Sequence, residues 1–152
     1  MTTMHYIGFV IHKKVISFCE KRIDGEIVDQ GMISATREAL SNLVETRKQI
    51  WVGAMEATLF TGWIYDYLLP FAQDLKVAHP EMLKAITASK KKNDATDAEK
   101  IADLLRCNLL PECYMPLGYS TTWGSLFPAV SITYAFKQTT IYFVLRDYFS
   151  YF

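Results

Sequence analysis

"HYIGFVIHKKVISFCEKRIDGEIVDQGMIS", residues 5–34, decides the fold. Its first seven residues, "HYIGFVI" (5–11), form a short apolar run rich in β-formers, which predicts a buried strand. "VISFCEKR" (15–22) alternates apolar and polar residues, as a half-buried strand does. Asp24-Gly25 is a hairpin signal, and "EIVDQGMIS" (26–34) is the returning strand. The chain therefore begins with three consecutive strands joined by tight turns.

Beyond residue 34 the pattern changes to alternation of helix and strand. "TREALSNLVETRK" (36–48) places Ala39, Leu40, Leu43 and Val44 on one helical face. "IWVGAM" (50–55) reads as a fourth buried strand, ending at Glu56. "GWIYDYLLPFA" (62–72) reads as a helix disturbed at Pro70. "LKVA" (75–78) is a short fifth strand closed by His79-Pro80. A last helix is predicted from about Thr96 to Cys107, with Ala98, Ile101, Ala102 and Leu105 towards the core. The order β-β-β-α-β-α-β-α implies an α/β domain: a mixed five-stranded sheet with helices on its faces.

The totals bound the function. The chain has 152 residues, 51% of them hydrophobic, with 16 basic and 16 acidic side chains, so any nucleic-acid affinity must come from local patches. Three cysteines (Cys19, Cys107, Cys113) with no CxxC pair argue against a disulfide framework or a zinc site, and a reducing cytoplasm is the expected location. The opening residues lack the features of a signal peptide, and no apolar run is long enough for a membrane span. Composition shifts near residue 116. Residues 117–152 hold 11 aromatic and only 3 charged residues, against 10 and 29 before them. Residues 5–116 are therefore read as one domain and 117–152 as an aromatic-rich tail without assignment.

The stretch "TASKKKNDATDAEKIADLLR" (87–106) sets Lys90, Lys91 and Lys92 immediately before Asp94 and Asp97. Thr96 and Glu99 fit a capping box, with Asp97 favoured by the helix dipole and the lysines in a solvated loop. The other reading is a magnesium site beside a polyanion. Such a site recruits oxygens from separate elements, and Glu56, at the carboxyl end of an apolar strand, is the third candidate. Its alternative is a solvated strand end. His5, His12 and His79 are scattered and share no ligand spacing with a cysteine. Phosphate-binding glycine loops and activated-nucleophile motifs are absent. Trp51 and Trp63 read as core residues.

On these residues the sequence resembles the IS one-ten family of insertion-sequence transposases, relatives of the Piv DNA invertases. The pieces that carry the resemblance are "YIG..IHKK" at 6–14, "MEAT" at 55–58 and "VAHPEMLKAITASKKKNDATDAEKIADLLR" at 77–106. The resemblance implies an amino-terminal RuvC-like domain of RNase H fold, whose element order matches the one read above. It implies that Glu56, Asp94 and Asp97 are three of the four acids of a DEDD tetrad that holds Mg2+ for DNA cleavage and strand transfer. It also implies DNA and a bridge RNA as partners, with Lys90, Lys91 and Lys92 suited to phosphates, and homo-oligomers in the full-length family.

Two departures qualify the expectation. Val10 stands where the family has its first aspartate, so Mg2+ binding is expected to be weak or absent. The helical continuation that precedes the family's serine-bearing second domain is replaced by the aromatic tail. An out-of-frame or truncated continuation would account for that, and the chain then reads as an impaired remnant of a transposase. The alternative is a nucleic-acid-binding module without chemistry. Actin-like kinases and ATPases share the element order, but "FVIHKK" contains no D-x-G-[ST] phosphate loop.

Overall fold

The computed structural model describes residues 4–87 and 93–113. The expectations attached to Lys90, Lys91, Lys92 and to the tail 117–152 lie outside the described residues. The three opening strands are β1 (His5–Ile11), β2 (Val15–Arg22) and β3 (Ile27–Ser34). Asp24-Gly25 makes the second turn as expected. Gly25 adopts φ +90°, open to glycine at no steric cost, and the Asp24 carboxylate accepts the Glu26 N–H at 2.9 Å.

Helix α1 (Arg37–Glu45) follows, capped by the Thr36 hydroxyl, which accepts from the Ala39 N–H at 3.2 Å. Strand β4 (Trp51–Glu56) leads to helix α2 (Thr61–Leu68). Pro70 then falls in a single 3-10 turn, Leu69–Phe71, as its missing N–H requires. Strand β5 (Asp74–Ala78), helices α3 (Pro80–Thr87) and α4 (Asp94–Arg106), and a two-residue strand β6 (Glu112–Cys113) complete the order.

The fold is mixed α/β. The sheet order is β3-β2-β1-β4-β5-β6. Strands β1 to β3 pair antiparallel, β1 with β4 and β4 with β5 pair parallel, and β6 returns antiparallel to β5. Among the described residues the sheet thus has six strands rather than the expected five. The sixth is too short to leave a periodic pattern. It is set by a Schellman turn at the end of α4: Asn108 takes the left-handed conformation (φ 57°), and the Leu109 N–H reaches the Leu104 carbonyl at 2.8 Å. Helix α3 was also not expected, because His79-Pro80 reads as a strand stop. Proline is equally at home in the first turn of a helix, and here Pro80 opens one.

Strand alternation sorts the core onto two faces. On one, Ile7, Phe9, Ile16 and Met55 are fully buried against Leu40, Ile64 and Leu68 of α1 and α2. Trp51 joins them edge-to-face with Phe9, ring centroids 6.3 Å apart, and Trp63 packs against the same cluster, so both tryptophans belong to the core as expected. On the other face Val10, Cys19, Ala54 and Ala78 meet Leu83 of α3 and Ala98, Ile101 and Leu105 of α4. Small residues prevail there, so α4 lies close to the sheet.

A charged clamp fixes α4 laterally. The buried Lys21 ammonium on β2 donates to Glu99 at 2.9 Å and to Asp103 at 2.7 Å, and Arg106 closes on Asp103 at 3.1 Å. Burial alone would lower the Lys21 pKa; the hydrogen bonds to Asp103 and Glu99 outweigh it and hold the amine above its ordinary 10.5. Burial likewise pushes Asp103 up, but its bonds from Lys21 and Arg106 win and hold the carboxyl below 3.8. Lys21→Met leaves Glu99 without its cation and Asp103 with Arg106 alone. It should cost about 1–3 kcal/mol in urea unfolding at neutral pH.

The pH dependence follows from the directions of the two shifts. The Asp103 contribution is full above the unfolded value of 3.8 and is lost as pH falls through its lower folded value. The Lys21 contribution is full below 10.5 and is lost as pH rises through its higher folded value. The advantage of the native chain over Lys21→Met should therefore be flat from about pH 5 to 9 and shrink beyond both ends.

A second network ties α1 to the opposite face of β2. Arg47 lies over the Phe18 ring, 5.1 Å from its centroid. Its guanidinium pairs with Glu20 at 2.9 Å and Asp29 at 3.1 Å, while Glu20 also meets His5 Nδ1 at 2.5 Å. The Glu20 contact of Arg47 is an ion pair by distance only, since Arg47 Nε makes no aligned hydrogen bond.

Candidate functional site

Parallel pairing brings the carboxyl ends of β1, β4 and β5 to one edge of the sheet. Gly8 is in register with Ala54 and Phe9 with Met55, so Val10 is next in line with Glu56. Glu56 in turn is in register with Ala78. Alternation puts Val10, Ala54, Glu56 and Ala78 on the face that α4 covers. Glu56 is half-buried at its strand end, and its carbonyl accepts the Thr61 hydroxyl at 2.9 Å.

The start of α4 lies over this edge. Asn93 caps the helix: its backbone is extended (φ −145°, ψ 122°) and its side chain accepts the Ala95 N–H at 3.1 Å. The Thr96–Glu99 capping box is therefore corrected. The helix begins two residues before Thr96, which lies inside the first turn, and Glu99 turns instead to Lys21. Asp94 and Asp97 both sit in the first turn, where the helix dipole favours acids. Asp94 Oδ2 lies 3.0 Å from His12 Nε2, just past the end of β1. Asp97 Oδ1 lies 3.4 Å from Lys100 Nζ, which also donates to the Thr87 carbonyl at 3.2 Å.

Glu56, Asp94 and Asp97 thus occupy the same end of the sheet as Val10, on three separate elements counting β1. They do not close into a ligand set: among the described residues no group of three or more His, Cys, Asp or Glu side chains is placed to hold a metal ion. Asp94 and Asp97 face His12 and Lys100 instead. Val10 is 8% exposed and surrounded by apolar side chains, so the strand position next in line with Glu56 is filled by hydrocarbon. As arranged, these donors do not fit the two-ion centre that the resemblance implies.

His12 is the residue that sequence reasoning passed over. A histidine with no cysteine at ligand spacing carries no signal by itself. Its position two residues beyond Val10, just past the end of the same strand, was the available cue. Lys13 and Lys14, exposed in the turn after β1, add positive charge at this edge. Burial pushes the thiols of Cys19 and Cys113 up to about 11, away from the thiolate form.

No family model matches the chain, and no curated protein does. Among the described residues no helix is long and apolar enough to cross a membrane.

Proposed function

We propose that residues 5–116 form an RNase H-like, RuvC-like domain of a transposase of the IS one-ten type, impaired at Val10. Its ancestral work is Mg2+-dependent DNA cleavage in transposition and site-specific recombination. The observation that carries the reading is the common placement of Val10, Glu56 and the Asp94–Asp97 turn at the carboxyl edge of two adjacent parallel strands. The strand order, with three antiparallel strands feeding a parallel pair, supports the same fold.

In this reading Glu56, Asp94 and Asp97 are the remaining acids of the site. His12, Lys13 and Lys14 form a basic margin for the phosphates of DNA or of a bridge RNA, and the lysine run 90–92 is read, from its sequence alone, as a further phosphate contact. The cytoplasm is the compartment that goes with this work, and homo-oligomers with the full-length family. The rival reading keeps the basic margin as a nucleic-acid-binding module and discards the chemistry.

Nucleic-acid affinity against salt, combined with metal affinity, separates these. Replacing Lys90, Lys91 and Lys92 by Ala should reduce the salt slope of log K by roughly 0.7–0.9 for each phosphate no longer neutralised. A duplex DNA and a structured RNA serve as probes. Binding whose salt slope falls in this way, together with a gain of Mg2+ affinity on Val10→Asp, supports the transposase domain. Binding without the metal gain favours the module. No binding to either probe overturns both.

A further inference from the structure

We infer that the outer edge of β3 is a self-pairing surface, on which a second copy of this chain adds its own β3 antiparallel across a two-fold axis at Met32. Among the described residues strand β3 ends the sheet, runs for eight residues, and is exposed along nearly its whole length. Edge strands are ordinarily blunted by lysine, proline or brevity. "IVDQGMIS" has none of these, and Met32 at its middle is 66% exposed.

The hydrogen-bonding pattern identifies the groups on offer. The Ala35 N–H donates to the Lys14 carbonyl at 2.9 Å, so 14 and 35 are a bonded pair. In an antiparallel ladder bonded and non-bonded pairs alternate, so Ile33, Gly31 and Asp29 send their backbone groups to β2. Those of Gln30, Met32 and Ser34 point outward. The register shift opposite Glu20 and Lys21 ends the regular edge at Asp29, so the usable strand is residues 29–35. Its midpoint is Met32. Ser34 contributes chiefly its N–H, because its carbonyl already accepts from Thr36.

Pairing this segment with itself about Met32 matches chemistry at every step. Met32 meets Met32 of the second copy, Gln30 meets Ser34, and Gly31 leaves room opposite Ile33. Asp29, the sole charge of the strand, falls opposite Ala35 and never opposite its own copy. Its carboxylate is moreover already neutralised by Arg47 at 3.1 Å, so the pairing brings no unpaired charge to the seam. A two-fold contact needs this kind of self-complementarity, because the same patch serves both sides.

The test uses the full chain in sedimentation equilibrium. A concentration-dependent dimer is expected, and Met32→Lys, which sets two like charges on the axis, should raise its dissociation constant at least tenfold. The melting temperature of the dilute monomer should stay unchanged by that substitution. In a Cys107→Ser background, Met32→Cys should give a covalent dimer on mild oxidation, since directly opposed antiparallel residues lie within disulfide reach. A chain that stays monomeric to about 100 μM, or a dimer indifferent to Met32→Lys, overturns the inference. So does Met32→Cys that gives no covalent dimer while the non-covalent one persists.

Discussion

Gly8→Ala should lower the melting temperature by roughly 12 °C or more, at about 4–8 °C for each kcal/mol in a domain of this size. A β-carbon at Gly8 would lie 2.1 Å from the Ala98 carbonyl oxygen and 2.6 Å from the Ala102 nitrogen. Both are backbone atoms inside α4, and neither can turn away as a side-chain end can. The helix as a whole must lift off β1, and the packing of Ala98, Ile101 and Leu105 against Val10 and Cys19 goes with it. Overpacking in a core costs about 1–3 kcal/mol where side chains adjust, and more where backbone must move, so about 3 kcal/mol is the expected floor. Gly53→Ala is the control. Its β-carbon would meet Leu75 Cδ1 at 2.7 Å and a Trp51 ring carbon at 2.9 Å, and the leucine methyl is the end of a flexible side chain. A cost of about 1–2 kcal/mol is expected there. Thermal unfolding followed by circular dichroism measures both. Equal costs would show that α4 does not rest on β1 at this point.

The same close approach explains how much of the fold could be read from residues alone. The opening strands were legible because their signals are local: apolar runs of strand length, and an Asp-Gly turn whose glycine must take positive φ. Helix α1 was legible from its apolar face. Helix α3 was not, because proline after histidine is compatible with both a strand stop and a helix start, and only Leu83 of this helix is buried. The start of α4 was misplaced by two residues because Asn93 and Thr96 are both good caps. The choice between them rests on the backbone at Asn93 and on Lys21, 78 positions away, drawing Glu99 off. At the site, the carboxylates were legible as residue types at a strand end and a helix start. Their partners were not. His12 reaches Asp94 through the placement of α4, which depends on Gly8 and on the Lys21 clamp, and no spacing rule encodes that; Lys100 meets Asp97 one turn on along α4 itself, an i,i+3 pair that the spacing did offer.

Val10→Asp should change the edge of the sheet from apolar to metal-binding, and it should do so at a cost. Val10 is 8% exposed, among Cys19, Ala54, Ala78 and Ala98. A carboxylate there loses hydration without gaining a donor, so the metal-free variant should be less stable by roughly 2–4 kcal/mol. The position is nonetheless next in line with Glu56 on the adjacent parallel strand, below the turn that carries Asp94 and Asp97. An added oxygen donor there offers Mg2+ a further carboxylate from the sheet beside Glu56. Two-ion phosphoryl chemistry requires metals about 3.5–4 Å apart, and an isopropyl group has no lone pair with which to join two ions. The native chain should therefore bind Mg2+ weakly and leave supercoiled DNA uncut. In the variant, Mg2+ at about a hundred times its dissociation constant should return about 2.7 kcal/mol, close to what the substitution removed. The readout is the Mg2+-induced rise in melting temperature, larger for Val10→Asp than for the native chain, with calorimetry for the affinity. Val10→Asn supplies the control: it carries the same shape but no charge and a smaller desolvation cost, so it should lose less stability and recover little of it with Mg2+. If Val10→Asp folds, by circular dichroism, and still gains no more from Mg2+ than Val10→Asn does, then residue 10 does not face Glu56 and the turn of α4 as a ligand would. The reading of this edge as the remains of a nuclease site then falls with it.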